Sequence, residues 1–380
     1  YEICACLVGS EMCIRDRGIP IHPAGEWILD NLYVIEEIVK NISKELTLKK
    51  YTDFLGLANG RFKGFARVYV LATEMVAYTD GKINSENLEY MLQAYQTKKT
   101  LSMNEIWNIG LFIQIALIEN IREICETIYM SQMQKSRVEE IICKYFGEEK
   151  KKSRTVILPK IMLIEKGQVK NAFIEYMSYR LKKMGSKAYA YLNILEDEVA
   201  KTGSDIYEVV KKEHFDIAVK KVSVGNCILT LKAISRINFL EIFEKINRVE
   251  DILKQDPAKQ YEKMDSTTKS YYRNAIQEIS KKTKISEIYI AKKCLELSLQ
   301  ASEKPEANEK SMHIGFYLIS DGKETLLNSL LEKKITLKSN EEKAKIYIET
   351  VWGVSLLLTL ILSINFYYML WYQLSLIHIS

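Results

Sequence analysis

The sequence predicts an all-α protein: a multi-helix cytoplasmic bundle followed by one transmembrane helix. Three observations predict it. Five prolines and sixteen glycines in 380 residues fall below the average usage of about 5% and 7%, so helices should run long between short connections. Apolar residues recur at steps of three and four over most of the chain, the period of a helix with one buried face. Near the end, Val351 to Leu370 (VWGVSLLLTLILSINFYYML) carries no charge over twenty residues, the length needed to cross a hydrocarbon core of about 30 Å.

The first helix is read from His22 to Leu46, with Pro23 in its first turn and a core stripe of Ile28, Leu32, Ile35, Val39, Ile42 and Leu46. Gly56, Gly60 and Gly64 mark a loop. Helices follow from about Ala66 to Thr79, stopped by Asp80-Gly81, and from Glu86 to Gln96, capped by Ser85. Ser102 and Glu105 have the spacing of a capping box at the head of a long helix with a stripe of Ile106, Ile109, Ile113, Leu117, Ile121 and Ile124. Another short helix reaches Phe146. The segment GEEKKKSR, residues 147–154, is highly charged and free of apolar residues and reads as the best internal boundary.

Beyond it, helices are expected at about Thr155 to Glu165, Val169 to Met184, Lys187 to Lys201, Asp205 to Ser235, Asn238 to Lys254, Ser266 to Lys282 and Ser286 to Ala301. Gly225 inside the long Asp205 helix points to close approach of a neighbour there. Ile314 to Ser320 (IGFYLIS) looks strand-like. The organisation expected is a helical domain over 18–146, a charged linker over 147–154, a second helical domain over 155–301, a linker with a short α/β segment over 302–345, and the membrane helix over 346–373. Trp352 at one end of that helix and Tyr367, Tyr368, Trp371 and Tyr372 at the other sit as interfacial belts do, and Lys333, Lys334, Lys338, Lys343 and Lys345 place the bundle on the cytoplasmic side. Residues 1–17 and 374–380 are set apart, because VGSEMCIRDR and LSLIHIS resemble translated sequencing-adapter read-through. The chain between them then reads as a gene fragment cut at both ends.

Composition excludes several classes. The net charge of +5 arises from 54 basic and 49 acidic residues, well mixed along the chain, which is too weak a signal for nucleic acid. Seven cysteines show no repeated CxxC spacing, so neither a zinc site nor a disulfide framework is indicated. Cys125, Cys143, Cys227 and Cys294 lie among apolar residues of helices and read as buried rather than reactive. His214 and His313 have no second histidine at ligand spacing and no triad partner in sequence.

The run PAGEWILDNLYVIEE resembles the P-A-x-E-W-x-x-D-N-x-x-x-x-E-E run of the bacterial cyclic β-1,2-glucan synthases. Further runs resemble that family in order. They are GFARVYVLATEMVAYTDGKINSENLEYMLQAYQ, with Tyr78 where His is usual, LSMNEIWNIGLFIQIALIENIRE, EHFDIAVKKVSVGNCILTLKAISRINFLEIFEKINRVEDIL, DPAKQYEKMDSTTKSYYRNAI, with Lys269 in place of Arg, and HIGFYLISDG. The resemblance implies a helical region that precedes the membrane spans and transferase domain of a large membrane glycosyltransferase. UDP-glucose and a divalent metal are implied for that downstream domain, and no cofactor for this stretch, which carries no recognisable aspartate motifs. The partners implied are the membrane, the downstream transferase domain of the same polypeptide and a growing glucan. The region itself is expected to scaffold or regulate without catalysing; the alternative is a membrane-tethered helical interaction or sensor module.

Glu26, Trp27, Asp30 and Asn31 lie on or beside the apolar stripe of the first helix. They are expected to form one buried polar cluster with Arg67, Glu119 and Arg122, because buried polar groups need partners. A paired-carboxylate role for Glu26 and Asp30 is the weaker reading: one helical turn puts both acids on the same side of a substrate rather than flanking it.

Overall fold

The computed structural model describes residues 21–146, 164–165, 168–303, 309–331, 348–361 and 363. These residues are predominantly helical; the exception in regular structure is a two-residue antiparallel pair, Ile164–Glu165 with Gln168–Val169. The chain divides into two units, Tyr1–Asn247 and Arg248–Ser380. The charged segment 147–154 lies outside the described residues, as do residues 1–17 and 374–380. The helices on either side of that segment pack on one another inside the first unit.

In the first unit the expected helix from His22 to Leu46 is broken in two, α1 (Pro23–Asp30) and α2 (Leu32–Glu45). Asn31, with φ −118° and ψ 15°, leaves the helical region between them. Pro23 occupies the first turn as expected, and the His22 ring caps it, its Nδ1 accepting from the Ala24 N–H at 3.1 Å. A short turn of helix, α3 (Leu48–Tyr51), leads to α4 (Arg67–Tyr78) and α5 (Ser85–Gln96). The cap of α5 is Asn84 rather than Ser85, in a reciprocal capping box with Asn87. The expected long helix and the short one after it are a single element, α6 (Met103–Phe146), 44 residues long and so about 66 Å at 1.5 Å per residue. It is the spine of the unit.

Against it pack α4, α7 (Asn171–Lys183), α9 (Ile206–Ile234) and α10 (Phe239–Ile246), with α1 and α2 bridging α6 and α9. Ile106, Ile109, Phe112, Ile113, Leu117, Ile121 and Ile128 form the buried face of α6. Toward its far end Val138 and Ile142 join Phe173, Ile174, Met177 and Leu181 of α7, Leu192 and Leu195 of α8 (Tyr189–Ala200), and Ile206 and Val209 of α9 in one apolar cluster. Two glycines permit close approaches. A Cβ on Gly110 would stand 2.5 Å from the Phe239 ring, and one on Gly81 (φ +75°) 2.5 Å from the Cys227 Sγ. At Gly225, by contrast, no atom lies within 4 Å of where a Cβ would sit, so the neighbour expected there is not found.

In the second unit α11 (Arg248–Leu253), α12 (Ser266–Thr283), α14 (Ile314–Ile319) and α15 (Lys323–Leu331) all pack on α13 (Glu287–Ser302). Asn247, extended at ψ 105°, separates α10 from α11, where one helix was expected. The strand-like run at Ile314 is helical. It buries Ile314, Gly315, Tyr317 and Leu318, a spacing of one, three and four residues that belongs to a helix. A six-residue apolar run is too short for periodicity to separate the two. Residues 348–361 are helical, and their apolar side chains from Val351 to Ile361 are exposed. Among the described residues no helix is long and apolar enough to cross a membrane; residues 362 and 364–370 of the expected span lie outside them.

Candidate functional site

Helix α1 sorts its run by face. Ala24, Gly25 and Ile28 point into the bundle, and Asn31 follows them inward. Glu26 and Asp30 are exposed, and Trp27 is 40% exposed. Asn31 fixes the kink from both ends of its amide, Nδ2 donating to the Trp27 carbonyl at 2.8 Å and Oδ1 accepting from Lys232 Nζ of α9 at 2.6 Å. That ammonium also lies 5.8 Å from the ring centroid of Tyr33, which is 63% exposed. Of the predicted stripe Ile28 and Ile35 are buried, whereas Leu32, Val39, Ile42 and Leu46 are only half-buried and Val34 and Ile38 are buried beside them. The buried spacing of Ala24, Ile28, Asn31, Ile35 and Ile38 runs on across the break, and Glu26, Trp27 and Asp30 fall outside it.

The seven residues expected in one cluster therefore do not converge. Arg67 reaches Glu105 instead: its Nε donates to Oε1 at 3.0 Å, a second guanidinium nitrogen donates to Oε2, and the same nitrogen donates to the Thr100 carbonyl at 3.1 Å. Glu105 is fully buried. It also closes the capping box foreseen at the head of α6, Oε2 accepting from the Ser102 N–H at 2.8 Å while Ser102 Oγ accepts from the Glu105 N–H at 3.3 Å. One carboxylate thus caps α6 and ties it to α4. Glu119 and Arg122 pair with each other along α6, Arg122 also reaching Glu126, in half-exposed geometry.

The most connected polar network lies in the second unit and draws on runs whose chemistry the sequence left unassigned. Glu250 of α11 accepts from the Tyr261 hydroxyl and from Arg273 Nε, both at 3.0 Å on Oε2. Asp256, in the following turn, accepts from the Ile314 N–H at 3.1 Å on Oδ1 and from the Gln260 N–H at 3.1 Å on Oδ2. His313 Nδ1 lies 2.8 Å from Asp256 Oδ2, and its Nε2 lies 2.9 Å from the Tyr272 hydroxyl. Burial opposes the charge on Asp256, but the hydrogen bonds from His313, Ile314 and Gln260 outweigh it and hold the carboxyl below its ordinary range. The Asp–His–Tyr order looks like a catalytic relay, yet Tyr272 is 9% exposed and Tyr261 fully buried. Gly315 leaves no room above the Tyr272 hydroxyl. The network binds α11, α12 and α14 together. In sequence, His313 was read without a partner because Asp256 is 57 residues away.

Cys227 and Cys294 are buried, and burial pushes the Cys227 thiol up to about 11. Cys143, expected inside, is exposed. His214 is exposed on α9, 3.7 Å from Glu175. Among the described residues no group of three or more His, Cys, Asp or Glu side chains could hold a metal ion.

No protein-family model matches the chain. Over 324 residues, 84% of the chain, it is 24% identical to the cyclic beta-(1,2)-glucan synthase NdvB of Rhizobium meliloti (strain 1021), and the match covers 11% of that protein. The chain therefore spans about a tenth of the length of the curated relative it matches. That identity, sustained over most of an all-helical chain, relates this protein to the cyclic β-(1,2)-glucan synthases.

Proposed function

We propose that this chain is a non-catalytic helical region that scaffolds or regulates a membrane-bound glucosyltransferase of the cyclic β-1,2-glucan synthase type. One observation carries the reading. Three sets of buried ionisable residues in the runs that resemble that family are paired within the fold: Arg67 with Glu105, Arg273 and Tyr261 with Glu250, His313 with Asp256. Pairs buried in that way hold helices in register. UDP-glucose and a divalent metal belong, in this reading, to a transferase domain elsewhere in the parent polypeptide. Attachment to the bilayer runs through residues 351–370. The helix entered at 348 exposes Val351, Trp352, Leu356, Leu357 and Leu360, a pattern that water disfavours and lipid accommodates.

The test is glucose polymerisation from UDP-glucose in membranes carrying the parent polypeptide. Arg273→Met, which leaves Glu250 buried without its cation, should reduce glucan formation together with the folding of this region, while the isolated chain forms none. Transferase activity in the isolated chain, or full polymerisation by a parent lacking the region, would overturn the reading.

A further inference from the structure

The outer face of α9 has no part in that scaffold. Its inner face, with Val224, Cys227, Ile228, Leu231 and Ile234, is buried as a core helix requires. A second apolar stripe runs along the opposite side. Phe215, Ala218, Val219, Val222 and Leu229 are exposed there, at spacings of three, four and seven residues that keep them on one face. From Phe215 to Leu229 the stripe is about 21 Å long. No charged residue interrupts it, since Gly225 and Asn226 fill the turn between Val222 and Leu229. Among the described residues no element covers it. An apolar strip left open on a helix already anchored by its other face marks a contact with something else.

The charges around the stripe select the partner. On α9 the exposed charged side chains are Lys211, Lys212, Lys221 and Lys232 against Glu208, with His214 beside them. The nearby acids are half-buried or engaged: Asp216 is half-buried, Asp80 lies 3.5 Å from the Asn226 amide, and Glu175 pairs with Lys135 and His214. The complement of this face is therefore apolar and anionic. A second copy of the chain does not meet that description, because a two-fold contact brings two sets of the same lysines into one interface. A groove for a protein helix is missing too. Nothing lies within 4 Å of a Cβ built on Gly225, so the face is a ridge without a wall.

We propose that the outer face of α9 lies in the headgroup layer of an anionic bilayer, with Phe215, Val222 and Leu229 toward the acyl chains and Lys211, Lys212 and Lys221 at lipid phosphates. Helices with an apolar face bordered by lysines bind there, buried about 5–10 Å into the boundary. Long lysine stems let the ammonium stay at the phosphates while the apolar residues sink, and the anionic surface attracts each of them. The inference takes from the scaffold reading only that a bilayer is close, and adds a contact separate from residues 351–370.

The experiment places the full chain in vesicles of equal parts phosphatidylcholine and phosphatidylglycerol, with a trace of phosphatidylcholine that carries a diazirine on its acyl chain. After irradiation the label is mapped by peptide mass spectrometry. Label is expected on α9 between residues 215 and 229. It should fall by about tenfold, at unchanged circular dichroism, in Phe215→Gln/Val222→Gln/Leu229→Gln and in Lys211→Gln/Lys212→Gln/Lys221→Gln, glutamine being a good helix former at exposed positions. Lys232 is kept because it holds Asn31. Label confined to residues 348–370, or α9 label unchanged in both variants, overturns the proposal and leaves the tether standing, whereas label on α9 alone supports the proposal and overturns the tether. Equal labelling of α9 in vesicles of phosphatidylcholine alone overturns the anionic partner. A dimer in detergent, seen by sedimentation equilibrium and dissolved by the Phe215, Val222 and Leu229 variant, overturns the bilayer contact and assigns the face to a second copy.

Discussion

Replacing Arg67 with methionine should destabilise the first unit more than any change at the residues first singled out on α1. The methionine keeps most of the buried volume but removes both nitrogens that Glu105 accepts from. It leaves a fully buried carboxylate with only the Ser102 N–H and hydroxyl as donors. Breaking a buried ion pair from one side costs about 3–5 kcal/mol. For a unit of this size each kcal/mol shifts the midpoint by about 2–4 °C, so the melting temperature should fall by roughly 6–20 °C. Glu105→Gln should cost less, because the amide oxygen can still cap α6 while the charge is gone. The double variant Arg67→Met/Glu105→Gln should recover much of the Arg67→Met loss, since no buried charge remains. Thermal unfolding followed by circular dichroism reads all three, with Arg122→Met as the control, whose half-exposed partners lie on its own helix and whose loss should leave the midpoint unchanged. An Arg67→Met midpoint equal to that of the wild type would refute the reasoning, as would an Arg122→Met midpoint that fell as far.

Acid should weaken the first unit before it titrates most carboxylates. Burial, reinforced by Lys220 and Lys135, lowers His22 from 6.5 to about 4, so the unfolded chain binds the proton first and stability is lost as pH falls from about 6.5 toward 4, by about 3 kcal/mol in all. Protonation would also take the Nδ1 lone pair that caps α1; His22→Asn, which can still cap, should flatten the pH dependence of the melting temperature. Gly110→Ala should cost about 1–3 kcal/mol by driving a methyl into the Phe239 ring, and adding Phe239→Leu should restore part of it in chemical denaturation. Tyr261→Phe should cost about 1–3 kcal/mol through the lost hydrogen bond to buried Glu250, read the same way. Among the described cysteines, Cys143 should be alkylated first by maleimide and Cys227 only on unfolding, as followed by intact mass.

Legibility divided along a physical line. Elements set by local chemistry were readable: the Pro23 turn, the Ser102 and Glu105 box, the stop at Asp80-Gly81 and the long apolar period of α6 all act within a few residues. Breaks were not, because Asn31 and Asn247 interrupt apolar runs whose spacing continues across them, and only tertiary contact shows the change of direction. Lys232 lies 201 residues from Asn31, and nothing in the α1 run announces it. The same distance limit hid the network in the second unit, where Asp256 and His313 become partners only once α11, α12 and α14 pack on α13.

The expected cluster failed for a related reason that bears on function. A polar residue beside an apolar stripe satisfies two different demands, a buried partner or open solvent, and a position at the margin of the stripe is compatible with either. Residues such as Arg67 and Glu105, which resolve toward burial, are legible afterwards as structure, because each has its partner within hydrogen-bonding distance. Glu26 and Asp30 resolve toward solvent, while Trp27, 40% exposed, keeps most of its ring against the helix and its neighbours. Surface aromatics are unremarkable singly, and the part-exposed Trp27 marks the outer edge of the packed face of α1 as plainly as Ile28 marks its centre.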